Sequence, residues 1–235
     1  MSDSRGLSLL IAAGILAIGI VIGGYLLGNG LVRARHADRS VTVRGLAERD
    51  VTADLATWTL NYSEQGLDLA QVQAAIDRDT ETIQQFFHQL GFPENALQPA
   101  GAGVNQFYNN GVQTVTINQR LQLRTTDIAK ARKAVARQFD LVRRGVVLQE
   151  GSGMVYSFTK LNQIKPSMVA AATKDARAAA EQFAKDSDTG VGGIKSATQG
   201  YFSIEARDGE QQGYGVADSP FKKVRVVTTV DFYLK

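Results

Sequence analysis

The chain has 235 residues, 44% hydrophobic and 21% charged, with a net charge of +3, two histidines and no cysteine. That balance belongs to a globular protein and not to a disordered one. The mild charge argues against a dedicated nucleic-acid binder, and the missing cysteines exclude disulfides, thiolate metal sites and a cysteine nucleophile.

The chain opens with six residues, 1–6, followed by the apolar run Leu7 to Val32, which contains fourteen Leu, Ile and Val, six Gly and no charge. As a helix, Leu7 to Gly28 is about 33 Å long, close to the roughly 30 Å hydrocarbon core of a bilayer. The run is expected to be an uncleaved transmembrane anchor. It is longer than a signal-peptide core, and only Val32-Arg33-Ala34 resembles a cleavage site. Gly19 and Gly23, and Gly24 and Gly28, have the small-residue spacing that lets helices approach closely in lipid, so self-association is expected there. The polar linker 33–39 leads to a single folded domain over 40–235. Arg33, Arg35 and Arg39 after the span outnumber Arg5 before it, which by itself favours a cytoplasmic body, although long domains translocate largely regardless of such charges.

Ser40 to Val43 and Val51 to Glu64 are predicted strands around a turn at Gly45. In the second, Ala56, Trp58, Leu60 and Tyr62 share one face, with Thr57, Thr59 and Asn61 on the other. Asp68 to Leu90 has Leu69, Val72, Ile76, Ile83, Phe87 and Leu90 at helical spacing, ended by Gly91 and Pro93. Asn109-Asn110-Gly111 signals a tight turn between strands Val104 to Tyr108 and Val112 to Thr125. Asp127 is positioned to cap a helix to about Arg144, with Ile128, Ala131, Val135, Phe139 and Val142 inward and Lys130, Arg132, Lys133, Arg137 and Arg143 on the remaining surface. Val146 to Leu148 and Val155 to Leu161 are predicted strand segments. Pro166 is expected to open a third helix to about Ser187, with Met168, Ala172, Ala176, Ala179 and Phe183 inward. Strands follow at Ile194 to Ile204 and Val224 to Leu234, the latter with Val224, Val226, Thr228, Val230 and Phe232 inward, separated by a Gly-rich loop from Glu205 to Pro220. This order predicts an α+β body in which helices pack on a mainly antiparallel, mixed β-sheet.

The soluble part resembles the SIMPL domain family of bacterial envelope proteins. The resemblance rests on Val43-Arg44-Gly45 followed by a strand from Val51 to Asp54, on Leu90-Gly91 ending a helix, on the A-x-x-D-A-R pattern of Ala172 to Arg177, and on Gly190. Val51 stands where the family often has proline. The resemblance implies an extracytoplasmic body, ring- or channel-like homo-oligomers and a link to envelope stress, and so favours a periplasmic domain on an inner-membrane anchor.

No residue pattern points to catalysis, a cofactor or a metal. His36 lies in the linker, His88 sits beside Phe86 and Phe87, and Asp77, Asp79 and Glu81 point in different directions around a helix. Ser152 and Ser157 lack a base in any nucleophile motif. Gly190-Val191-Gly192-Gly193 follows a helix, whereas phosphate loops precede one. The basic side of the second soluble helix is the one charge pattern of interest: a solvated face, a contact with an acidic neighbouring subunit, or a contact with anionic lipid or nucleic acid. The expected function is a non-enzymatic, membrane-anchored homo-oligomeric scaffold whose candidate contacts are the span glycines, the strand Val224 to Leu234 and the loop Glu205 to Pro220. The alternative is a monomeric or dimeric binding module for an envelope ligand or partner protein.

Overall fold

The computed structural model describes residues 14, 16–29, 39–109, 111–208 and 219–235. After a helix α1 over residues 16–29 come β1 (Ser40–Thr52), β2 (Leu55–Gly66), α2 (Leu69–Gln89), β3 (Leu97–Asn109), β4 (Val112–Thr125), α3 (Ile128–Ala136), α4 (Phe139–Arg143), β5 (Gly153–Ser157), α5 (Leu161–Asp186), β6 (Val191–Ala206) and β7 (Phe221–Leu234). They form an α+β fold with two sheets in place of the single sheet expected, one ordered β1-β7-β6 and the other β3-β4-β2-β5. The chain divides into two compact units, residues 48–166 with 202–225, and residues 1–47 with 167–201 and 226–235.

The first of these units contains the four-stranded sheet, whose strand pairs are antiparallel. Alternation along β2 puts Trp58, Leu60 and Tyr62 on one face, beside their cross-strand partners Leu123, Leu121 and Gln119 of β4. Helix α2 covers that face with Val72, Ile76, Ile83, Phe86 and Phe87. Asp68 caps it, accepting the Gln71 N–H at 2.9 Å. Phe87 is the hub, with ring centroids 5.6 Å from Trp58, 5.1 Å from Phe86 and 5.6 Å from Phe92, all edge-on.

Two expectations for this unit are corrected. The single helix from Asp127 to Arg144 is interrupted, because the chain leaves helical geometry at Arg137 and restarts at Phe139. The restart turns Leu141 inward and leaves Phe139 67% and Val142 49% exposed. The strand over Val146 to Leu148 reduces to one bridge between Leu148 and Tyr62.

In the second unit α5 packs on the other sheet. Its buried stripe is Met168, Ala172, Ala176, Ala180 and Ala184, advancing four residues at a time. Phe183, expected inward, falls off that stripe and is 59% exposed. The helix starts at Leu161, so Pro166 lies inside it. Small residues on the stripe let the helix backbone descend onto the sheet, where Val43, Val230 and Phe232 form the core with Ala176 and Ala180.

Gly45 is the counterpart of that stripe. It is not a turn: β1 runs straight through it. A Cβ there would stand 1.9 Å from the Ala172 carbonyl oxygen and 2.8 Å from the Ala176 Cβ. Alongside, Asp175 Oδ2 accepts the Leu46 N–H at 2.9 Å, and the Arg177 guanidinium lies 4.9 Å from the Phe232 ring centroid. On the central strand, Asp231 accepts the hydroxyls of Thr42 from β1 and Ser196 from β6. Those bonds, Ser196 first, hold its carboxyl below the usual carboxylate range. The inward series Val224, Val226, Thr228, Val230 and Phe232 is buried as alternation requires.

The anchor expected over Leu7 to Val32 lies partly outside the described residues. Among the described residues, no helix is long and apolar enough to cross a membrane.

Replacing Gly45 with Ala is expected to lower stability by about 1–3 kcal/mol in denaturant unfolding, the usual cost of overpacking, whereas Gly103→Ala, where a Cβ meets nothing within 4 Å, should change it by no more than about 0.5 kcal/mol. Thr228 Oγ1 is buried with no hydrogen-bond partner. Thr228→Val should therefore raise stability by about 1 kcal/mol in the same assay.

Candidate functional site

Three of the five basic residues of the expected contact face are engaged locally. Asp127 caps α3 by accepting the Lys130 N–H at 2.9 Å. The Lys130 ammonium donates to the Gly91 carbonyl at 3.1 Å and lies 5.5 Å from the Phe92 ring centroid. It thus neutralises the C-terminal end of α2, where carbonyls carry partial negative charge. Arg137 and Arg143 each bind Asp140 at 3.0 Å. The Arg137 hydrogen bond is the main reason the Asp140 carboxyl sits below the usual range. Arg132 and Lys133 are exposed on α3, so the helix presents two unpaired cations and not a five-residue basic face. Asp140, which offsets two of the charges, is three residues from Arg137, a spacing visible in the sequence once the helix break is known.

Gly19, Gly23, Gly24 and Gly28 all lie on α1, and a Cβ on any of them meets nothing within 4 Å. The large apolar residues of this helix, including Leu16, Ile18, Ile20, Val21, Ile22, Tyr25, Leu26 and Leu27, are 54–70% exposed. The described part of α1 is thus apolar on all sides and unpacked.

Several residues considered for chemistry have structural engagements. Ser152 Oγ accepts the Asn61 N–H at 2.8 Å and donates to the Asn61 carbonyl at 3.1 Å. Gly190 exchanges backbone bonds with Lys235 at 3.3 and 2.8 Å, and a Cβ on Gly192 would touch the Tyr233 carbonyl at 3.0 Å. That glycine run starts a strand against the C-terminus. His88 borders a cleft of about 510 Å³ at the end of α2, together with Glu81, Gln85 and Glu94 over Phe87 and Phe92. Within it Gln85 donates to Glu81 at 3.3 Å.

Sequence reasoning missed one pair. Asp79 on α2 does not belong to a solvated face but meets Glu64 of β2. Partial burial, followed by the Glu64 charge and a hydrogen bond between the two carboxyls, pushes the Asp79 pKa up to about 6. Nearby, Tyr62 Oη and Thr80 Oγ1 are 2.7 Å apart, and Thr80 Oγ1 donates to the Ile76 carbonyl at 2.7 Å. Burial is also the main cause raising the Tyr62 pKa. The sequence did carry the signal, since strict alternation from Ala56 through Tyr62 puts Glu64 on the core face.

The fold and these surfaces define an α+β protein with helices packed on antiparallel sheets. The sequence matches the model of SIMPL, described as a protein of unknown function (DUF541), over residues 41–232. The chain belongs to the SIMPL family. No curated protein matches it. Two of the sequence features that carried the resemblance meet in the structure, because Gly45 of Val43-Arg44-Gly45 lies under Ala172 and Ala176, and Asp175 binds the neighbouring Leu46.

Because the Asp79 pKa is raised on folding, the native state holds this proton more tightly than the unfolded chain does. The resulting stability is complete below about pH 4 and is lost as pH rises through about 6. Asp79→Asn, which stays neutral, should exceed the wild type in stability at pH 8 by about 1 kcal/mol, a value discounted for solvent screening. The two proteins should match at pH 4 in chemical denaturation. A variant weaker than wild type at both pH values would contradict this assignment.

Proposed function

We propose that this chain is a non-enzymatic scaffold of the bacterial cell envelope, held to the inner membrane by its N-terminal apolar segment, with its SIMPL domain in the periplasm and several copies assembled as a ring- or channel-like homo-oligomer. The observation that carries this proposal is α1. A helix that is apolar on every side is stable either inside a protein core or in lipid, and among the described residues nothing forms a core around α1: Ile20, Val21 and Leu27 are 67%, 70% and 68% exposed. Its described residues continue into the uncharged run back to Leu7, long enough in total to span a bilayer. The lack of cysteine fits an oxidising compartment, and the family resemblance supports the periplasmic side over the arginine count.

Membership of an assembly is favoured by tethering, because chains fixed to one membrane face meet at a much higher effective concentration than free ones. A role in envelope stress is part of the proposal on family grounds. Among the candidate contacts, β7 is the central strand of its sheet, so Val224 to Leu234 offers no open edge. Residues 209–218 of the Glu205 to Pro220 loop lie outside the described residues. The glycines of α1 remain.

Full-length protein should stay with the membrane fraction after high-salt and alkaline washing, and a reporter fused after Lys235 should be active only on the periplasmic side. Leucine at Gly23 or Gly24 should reduce the size of the detergent-extracted species. Protein released into the soluble fraction by washing alone would contradict the anchor, and a single-chain species in detergent would favour the monomeric binding module.

A further inference from the structure

We propose that β3 is a self-pairing edge, through which two copies of this chain join antiparallel over Ala102 to Tyr108 and merge their four-stranded sheets. The inference rests on the homo-oligomeric proposal above and names one of its contacts, a two-fold contact that joins copies in pairs, so that a ring also needs a second one.

β3 is the terminal strand of its sheet, and every residue from Gln98 to Tyr108 is exposed. Strand edges carry unpaired N–H and C=O groups, which proteins normally guard with charges, shortness or a covering element. The other three sheet edges are guarded. β1 bears Arg44, Glu48, Arg49 and Asp50, and its Leu46 N–H is taken by Asp175. β6 carries Lys195 and Glu205, and β5 is only five residues long. Pro99 and the register shift at Pro99/Gly101 guard only the start of β3; from Ala102 to Tyr108 it has no charge, bulge or covering element among the described residues, and no Asp, Glu, Lys, Arg or His occurs from Leu97 through Gln119. Its large side chains Val104, Phe107 and Tyr108 are 56%, 63% and 72% exposed. The hairpin also projects, since pairing of β4 with β2 ends at Val115 with Gly66, whereas β3 pairs β4 out to Asn109 with Val112. An isolated two-stranded ribbon is marginal in water.

The sequence of β3 selects a second copy as the occupant. The usable stretch runs from the register shift at Pro99/Gly101 to the turn after Asn109, so its middle is Asn105. Antiparallel pairing about a two-fold axis at Asn105 sets Phe107 opposite Gly103 of the second copy and Tyr108 opposite Ala102. Large side chains thus cover small ones on both faces, an arrangement in which aromatics shield strand glycines. A charge near the axis would face its own copy, and this strand has none.

Because the chain has no cysteine, a single introduced thiol reports the contact. In full-length protein extracted in mild detergent, Asn105→Cys should form a disulfide-linked dimer at least about ten times faster than Tyr201→Cys, which is 98% exposed on β6. Gly103→Cys and Phe107→Cys should each cross-link poorly alone and readily when coexpressed. Asn105→Lys should reduce the mass of the assembly while leaving the thermal unfolding curve of the domain in place. If wild-type protein is a single chain in detergent, the homo-oligomeric proposal fails and this one with it. If wild type assembles but Asn105→Cys cross-links no faster than Tyr201→Cys and Asn105→Lys leaves the mass unchanged, the β3 contact is refuted and the oligomer stands.

Discussion

The packing of α5 on β1 rests on one steric constraint, the close approach of a helix backbone to Gly45. No residue with a side chain fits there, because its Cβ would stand within 1.9 Å of a helix carbonyl. The alanines at 172, 176 and 180 serve the same end from the helix side. Once the backbones are this near, Asp175 can reach the Leu46 N–H and Arg177 can lie over Phe232. A polar group thereby satisfies a strand N–H that would otherwise be unpaired, at the edge where pairing with a foreign strand is a hazard. Two of the short motifs behind the family resemblance are thus the two sides of one contact.

The same physical rule separates the two sheets by their surroundings. In the sheet containing β1, edges carry charges, and the central strand is tied to its neighbours through Asp231. In the sheet containing β2, one face is filled by the aromatic cluster around Phe87 and one edge is left uncharged and extended. Nothing in the energetics of a single copy requires that edge to be bare. A lysine at any of several positions in β3 would be tolerated on an exposed strand, so its composition is more simply explained by what lies beside it in an assembly.

Strands and amphipathic helices were legible in the sequence wherever alternation or helical spacing was strong. The buried series of β2, β4 and β7 and the face of α2 follow directly from it. What misled was punctuation. Gly45 was expected at a turn because glycine commonly ends strands, but the same residue also permits close helix packing, and only the tertiary partner distinguishes the two. The break between α3 and α4 carries no Gly or Pro, so periodicity continued through it and put Phe139 and Val142 on the wrong side. Phe183 was misplaced because alanine positions one step apart, Ala179 and Ala180, are equally compatible with an inward stripe. On the surface, a basic helix was visible, but the neutralisation of Arg137 and Arg143 by Asp140 and the diversion of Lys130 to Gly91 depend on local geometry that spacing alone does not fix.

The proposed state of this SIMPL protein is a membrane-held assembly of identical copies that meet at a sheet edge and not through a cleft. Electron-microscopic imaging of the full-length chain extracted in detergent tests this most directly. Closed multi-copy particles with rotational symmetry and a detergent belt at one end are the predicted result, and uniformly single-copy particles would contradict it.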